Sequence, residues 1–153
     1  MIQPTIEGLQ RYLKENNIDA EFQPSTNQLY FILMLHDREV PVFLRIISDG
    51  FLIQLLAFLP FQIKKDAVND VSRLLHFLNK EIDAPGFGID ESLDLAFYRC
   101  MVPTINGEVD VALLNMYLNT LQKVCKDYML NIEPVALGSI TYEKIINNAK
   151  KQQ

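Results

Sequence analysis

Cysteine is scarce in this chain: only Cys100 and Cys125 occur, each inside an apolar periodic segment, which excludes a disulfide framework. Both read as reduced core residues. The only histidines are His36 and His76, and neither has a neighbouring Cys or a suitably spaced His, so no tetrahedral metal motif is present. Basic stripes are also missing, and the formal net charge is −5. The electrostatic term that supplies most affinity for nucleic acid or an anionic membrane is therefore lacking. No apolar run approaches the ~20 residues of a membrane span; the longest, 51–61, is interrupted by Gln54. The first ten residues include Glu7 and lack the basic start and apolar core of a signal peptide, so a cytoplasmic location is expected. No repeat or low-complexity segment is found.

What remains is an ordinary globular composition. The chain has 153 residues, 49% hydrophobic and 22% charged, enough for one domain with a sizeable core. A single domain over 1–153 is expected, its core spanning about 4–132 and the segment 133–153 partly helical or frayed.

The segment 28–61 reads as three consecutive antiparallel strands that are apolar on both faces. Leu29, Phe31, Leu33 and Leu35 alternate with Tyr30, Ile32 and Met34. An antiparallel sheet in a small domain normally turns one polar face to water. This sheet needs cover on both sides. The polar tetrad 36–39 is expected to join the first two strands, and Asp49-Gly50 a two-residue type I′ turn to join the second and third. Pro41 fits a strand end or a bulge.

After Pro60 the apolar period lengthens to that of a helix. Val68, Val71, Leu74, Leu75, Leu78 and Ile82 form one stripe, broken by Ala84, Pro85 and Gly86. Two strands follow, 87–89 and 93–102. A long helix over about 108–130 carries Leu114, Tyr117, Leu118, Leu121, Val124, Cys125 and Tyr128, with Pro134 expected to prevent its continuation. A first helix starting near Pro4 and Thr5, a short extended piece over 20–22 before a turn at 24–26, and a short last helix to about Ala149 with 150–153 frayed, complete the chain. The fold class is α+β, with a five-stranded antiparallel sheet in the order α-β-β-β-α-β-β-α.

No catalytic motif accompanies this pattern. Asp90, Glu91 and Asp94 cluster at a turn without the spacing of a calcium loop, and Gly86 and Gly88 complete no phosphate-binding motif. The cysteines sit in core-like positions with no evident base. No enzyme activity, cofactor or metal is expected.

The helix segment Leu74-Leu75-His76-Phe77-Leu78-Asn79, followed by Gly86-Phe87-Gly88-Ile89-Asp90, resembles the YbjN-domain family, whose corresponding helix ends in an "LLxxLN" pattern before a short glycine-containing strand. The strand ending Leu59-Pro60-Phe61 and the turn Asp49-Gly50 belong to the same resemblance, which spans about 37–130. The resemblance implies the fold of the class I type III secretion chaperones, which are small, acidic, cytoplasmic, usually dimeric proteins that hold an extended client segment. It carries over no functional residue.

The apolar excess points to a protein-binding domain, with a homodimer as the default if the chain self-associates. The opposing reading is complete internal burial, with the first helix and the C-terminal segment covering the second sheet face. Phe43, Arg45, Ile47 and Tyr98 are the candidate interface residues. Two functions follow: a chaperone-like holder of an extended client, or a regulatory, stress-linked adaptor that binds a folded partner. A small-molecule sensor or enzyme, which needs a pocket with convergent polar groups, ranks third, with Gln54 and Arg45 as its intrastrand polar candidates.

Overall fold

The computed structural model describes residues 1–152. A six-stranded antiparallel sheet in the order β1-β2-β3-β4-β6-β5 carries four α-helices. The helices are α1 (Ile6–Glu15), α2 (Val68–Glu81), α3 (Val111–Ala136) and α4 (Tyr142–Lys151). The strands are β1 (Glu21–Gln23), β2 (Gln28–Leu35), β3 (Arg38–Ile47), β4 (Leu52–Gln62), β5 (Phe87–Asp90) and β6 (Leu95–Pro103). The sheet therefore has six strands where five were expected. The extra one, β1, pairs Glu21–Gln23 with Gln28–Tyr30, where the sequence suggests a short extended piece over 20–22 that the five expected strands leave out.

The two hairpin turns exchange the roles expected of them. His36 and Asp37, both with positive φ (51° and 59°), form the two-residue turn between paired Leu35 and Arg38. Histidine and aspartate are among the few residues that enter the left-handed region readily. At the other hairpin the ladder closes at Ile47 and Leu52, so Ser48–Phe51 is a four-residue loop with Ser48, Asp49 and Gly50 all left-handed. Pro41 lies within β3, and the β3–β4 ladder stops at Val42 beside it, as expected where no N–H can donate.

Alternation along the strands sorts the side chains cleanly. Every odd residue of β4 from Ile53 to Phe61 is buried, together with Leu29 and Phe31 of β2, Val42 and Leu44 of β3, and Ala96, Tyr98 and Cys100 of β6. These pack with Leu9 and Leu13 of α1, Leu74 and Leu75 of α2, and Leu114, Leu121, Cys125 and Met129 of α3 into one core. All three helices cover the same face. The Tyr12 hydroxyl of α1 donates to Val111 O, which holds α1 beside the start of α3.

Pro134 does not end α3. The helix runs two residues further, with Ile132, Val135 and Ala136 fully buried. Proline removes the bond its N–H would give to Leu130 O, but Leu130 is on the exposed side, where water can serve that carbonyl. Left-handed Gly138 then closes the helix by donating to Val135 O. The last helix, α4, extends to Lys151 where fraying was expected from 150; the same expectation for Gln153 lies outside the described residues.

Candidate functional site: the open face of the sheet

The even-numbered side chains of β2 and β4 and the odd-numbered ones of β3 and β6 project from the face that carries no helix. Among them, in strand order, are Tyr30, Ile32 and Met34; Glu39, Phe43, Arg45 and Ile47; Leu52, Gln54, Leu56 and Phe58; Phe97, Arg99 and Met101. None belongs to the core cluster or to the residues packed against it. Met34 is 61% exposed and Ile32 37%, and most of the others are half-buried by one another. The opposing reading, that α1 and the C-terminal segment cover this face, is not met. Both lie with the other helices, α4 resting against α2.

An aromatic ladder crosses the open face diagonally. Tyr30 and Phe43 have ring centroids 5.3 Å apart, Phe43 and Phe58 5.9 Å, and Phe58 and Phe97 6.3 Å. Offset and edge-to-face packing of this kind is favourable in itself, so the rings are held in place without a covering layer. Phe97 lies across Gly88 of the neighbouring strand, where a Cβ would come within 2.6 Å of the ring. Two arginines stand among these rings. Arg45 donates to Gln28 Oε1 at 3.1 Å, and the Arg99 guanidinium sits 5.7 Å from the Phe97 centroid.

Three of the four candidate interface residues, Phe43, Arg45 and Ile47, share this surface. The fourth, Tyr98, does not: it is 1% exposed, on the helix side, and its hydroxyl donates to Ala84 O at 2.6 Å. In β6 both alternate sets are largely apolar, so apolarity alone does not fix which set faces the helices. The charged Arg99 marks the outward set, and with it Phe97 and Met101, which the sequence reading passed over.

The remaining polar groups are committed to structure. Asn79 accepts from the N–H groups of Gly86 and Phe87 and donates to Phe87 O, locking the end of α2 onto β5. The asparagine of the "LLxxLN" segment is thus a splice between elements. Asp90 accepts twice from Ser92 in the turn after β5. His36 shares a 2.8 Å hydrogen bond with Lys126 O, tying the first hairpin to α3. Burial pushes the Cys100 thiol up to about 11 and the Cys125 thiol to about 12. At neutral pH neither is a thiolate. An open hollow beside α2 gathers Ser72, His76, Asp90 and Glu91, yet Ser72 Oγ donates to Val68 O, and no hydrogen bond joins these groups to His76 among the described residues. Among the same residues no group of three potential metal ligands converges, and no helix is long and apolar enough to cross a membrane.

The fold and site define an α+β domain with helices on one sheet face and, on the other, an aromatic-rich surface that carries two arginines and no helix. The model of the YbjN family, described as "Putative bacterial sensory transduction regulator", matches residues 5–133. The chain belongs to the YbjN family. No curated protein matches it.

Proposed function

We propose that this chain is a non-enzymatic, protein-binding regulator of the cytoplasm whose working surface is the open sheet face. The observation that carries the reading is the aromatic ladder from Tyr30 to Phe97, left without a covering layer on a chain with 49% hydrophobic residues. Apolar patches larger than a few hundred Å² are uncommon on monomers and usually mark interfaces. The family's description as sensory transduction regulators supports an adaptor that acts through binding.

A photo-crosslinking phenylalanine analogue at Phe58 tests the reading in living cells. Crosslinking to a protein from Phe58, but not from exposed Met116 on the helix side, is the expected result. No adduct at Phe58 removes the assignment.

A second reading, the type III secretion chaperone-like holding of an extended client, is favoured by one feature. Strand β1 pairs only with Gln28, Leu29 and Tyr30, leaving the outer edge of β2 from Phe31 to Leu35 without a strand partner. A client segment would add there as a further strand. This reading predicts that proline at Met34, whose N–H faces the free edge, abolishes client binding, whereas the adaptor reading predicts that Phe58→Asp does.

A further inference from the structure

We propose that a second copy of this chain covers the open face, related by a two-fold axis that runs along the aromatic ladder. The inference rests on reading that face as an interface and names its occupant. Its basis is the distribution of charge on either side of the ladder.

Strands β3 and β6 are both antiparallel to β4 and so run the same way. Arg45 lies two residues beyond Phe43, and Arg99 two beyond Phe97, which puts both cations on one flank of the ladder. Glu39, four residues before Phe43, lies on the other flank. Neither arginine enters an ion pair among the described residues, where the pairs are Arg38–Glu133, Arg73–Glu143, Lys80–Glu81 and Lys123–Asp127. Glu39 enters none either.

Turning a copy over about an axis along the ladder exchanges its two flanks. Arg99 of each copy then lies over Glu39 on the opposite flank of the other, and the aromatic rows meet. With ~4.8 Å between strands and ~3.3 Å per residue, Arg99 of one copy falls about 5 Å in projection from Glu39 of the other. An axis across the ladder would instead place arginines over arginines, which costs affinity. The charge pattern thus selects one of the two face-to-face arrangements.

The area sets the strength of the association. The four long strands, eight to eleven residues each, give a face of about 20 Å by about 26 Å, or on the order of 500 Å² per copy. Doubled, this is just below the ~1,200 Å² at which specific, stable interfaces begin. A reversible, concentration-dependent dimer is expected.

Sedimentation velocity of the full chain across a wide concentration range, with charge reversals at exposed Glu39 and Arg99, tests the proposal. Arg99→Glu alone and Glu39→Arg alone each weaken self-association about tenfold or more, by facing like charges. An equimolar mixture of the two single variants associates again, because each Arg then meets a Glu, and the double variant recovers self-association for the same reason. A monomer at every concentration, or a dimer indifferent to both reversals, overturns the proposal. If the chain is monomeric while the crosslinker at Phe58 still captures another protein, the second copy is excluded and the interface stands. If Phe58 captures nothing as well, both fall.

Discussion

Single buried residues carry most of the stability. Leu121 is fully buried between α3 and the sheet, and Leu121→Ala is expected to cost ~2 to 5 kcal/mol in chemical denaturation. A negligible loss would contradict the packing. Tyr98→Phe removes the donor to Ala84 O at a partly buried site, and a loss of about 1 kcal/mol is expected with no change in association. Cys100 and Cys125 titrate higher in the folded protein than their ordinary value of 9.0. The folded state therefore holds their protons more tightly. Their contribution is fully present below pH 9 and is lost as pH rises through about 11 to 12. Thermal melts across that range should show falling stability, and the decline should shrink when both are replaced by Ser or Ala. Alkylation at neutral pH should likewise be slow until the protein is unfolded. Residue chemistry was legible where it repeated: the stripes of α2 and α3 were plain because Leu74, Leu75, Leu78, Leu114, Leu118 and Leu121 recur with the helical period.

Elements were legible where their period survived and illegible where it was short or ambiguous. β1 has too few residues for a period, and Pro134 looked like a stop because its position in the last, well-buried turn of α3 depends on packing that periodicity does not show. The two hairpins exchanged turn types because His36 and Asp37 accept positive φ without a glycine. The junction from α2 to β5 offers a test at this scale. A Cβ at Gly86 would come within 2.3 Å of Arg99 O, a backbone atom that cannot swing aside. Gly86→Ala should therefore force β5 off β6 at a cost of roughly 1 to 3 kcal/mol, typical of an overpacked site. Hydrogen exchange should locate the faster amides in β5 and the end of α2. Unchanged exchange there would show that the junction yields elsewhere.

At the scale of the whole molecule the account reduces to an asymmetry. The sequence shows a sheet apolar on both faces, and the structure covers one of them with three helices while the other keeps its aromatic ladder in the open. Which face is which depends on the parity of each strand, and both parities read alike until a charged residue such as Arg45 or Arg99 marks the outward set. For that reason Phe43, Arg45 and Ile47 share the open face while Tyr98 lies on the helix side. The central claim is that the open face supports association and contributes little to the fold, and two adjacent residues of β3 test it most directly. Phe43 points outward and Leu44 inward. Circular dichroism melts combined with sedimentation should show that Phe43→Asp keeps the helical signal and a near-native melting temperature while losing association, and that Leu44→Asp unfolds the chain. Unfolding by Phe43→Asp, or association undiminished by it, would contradict the account.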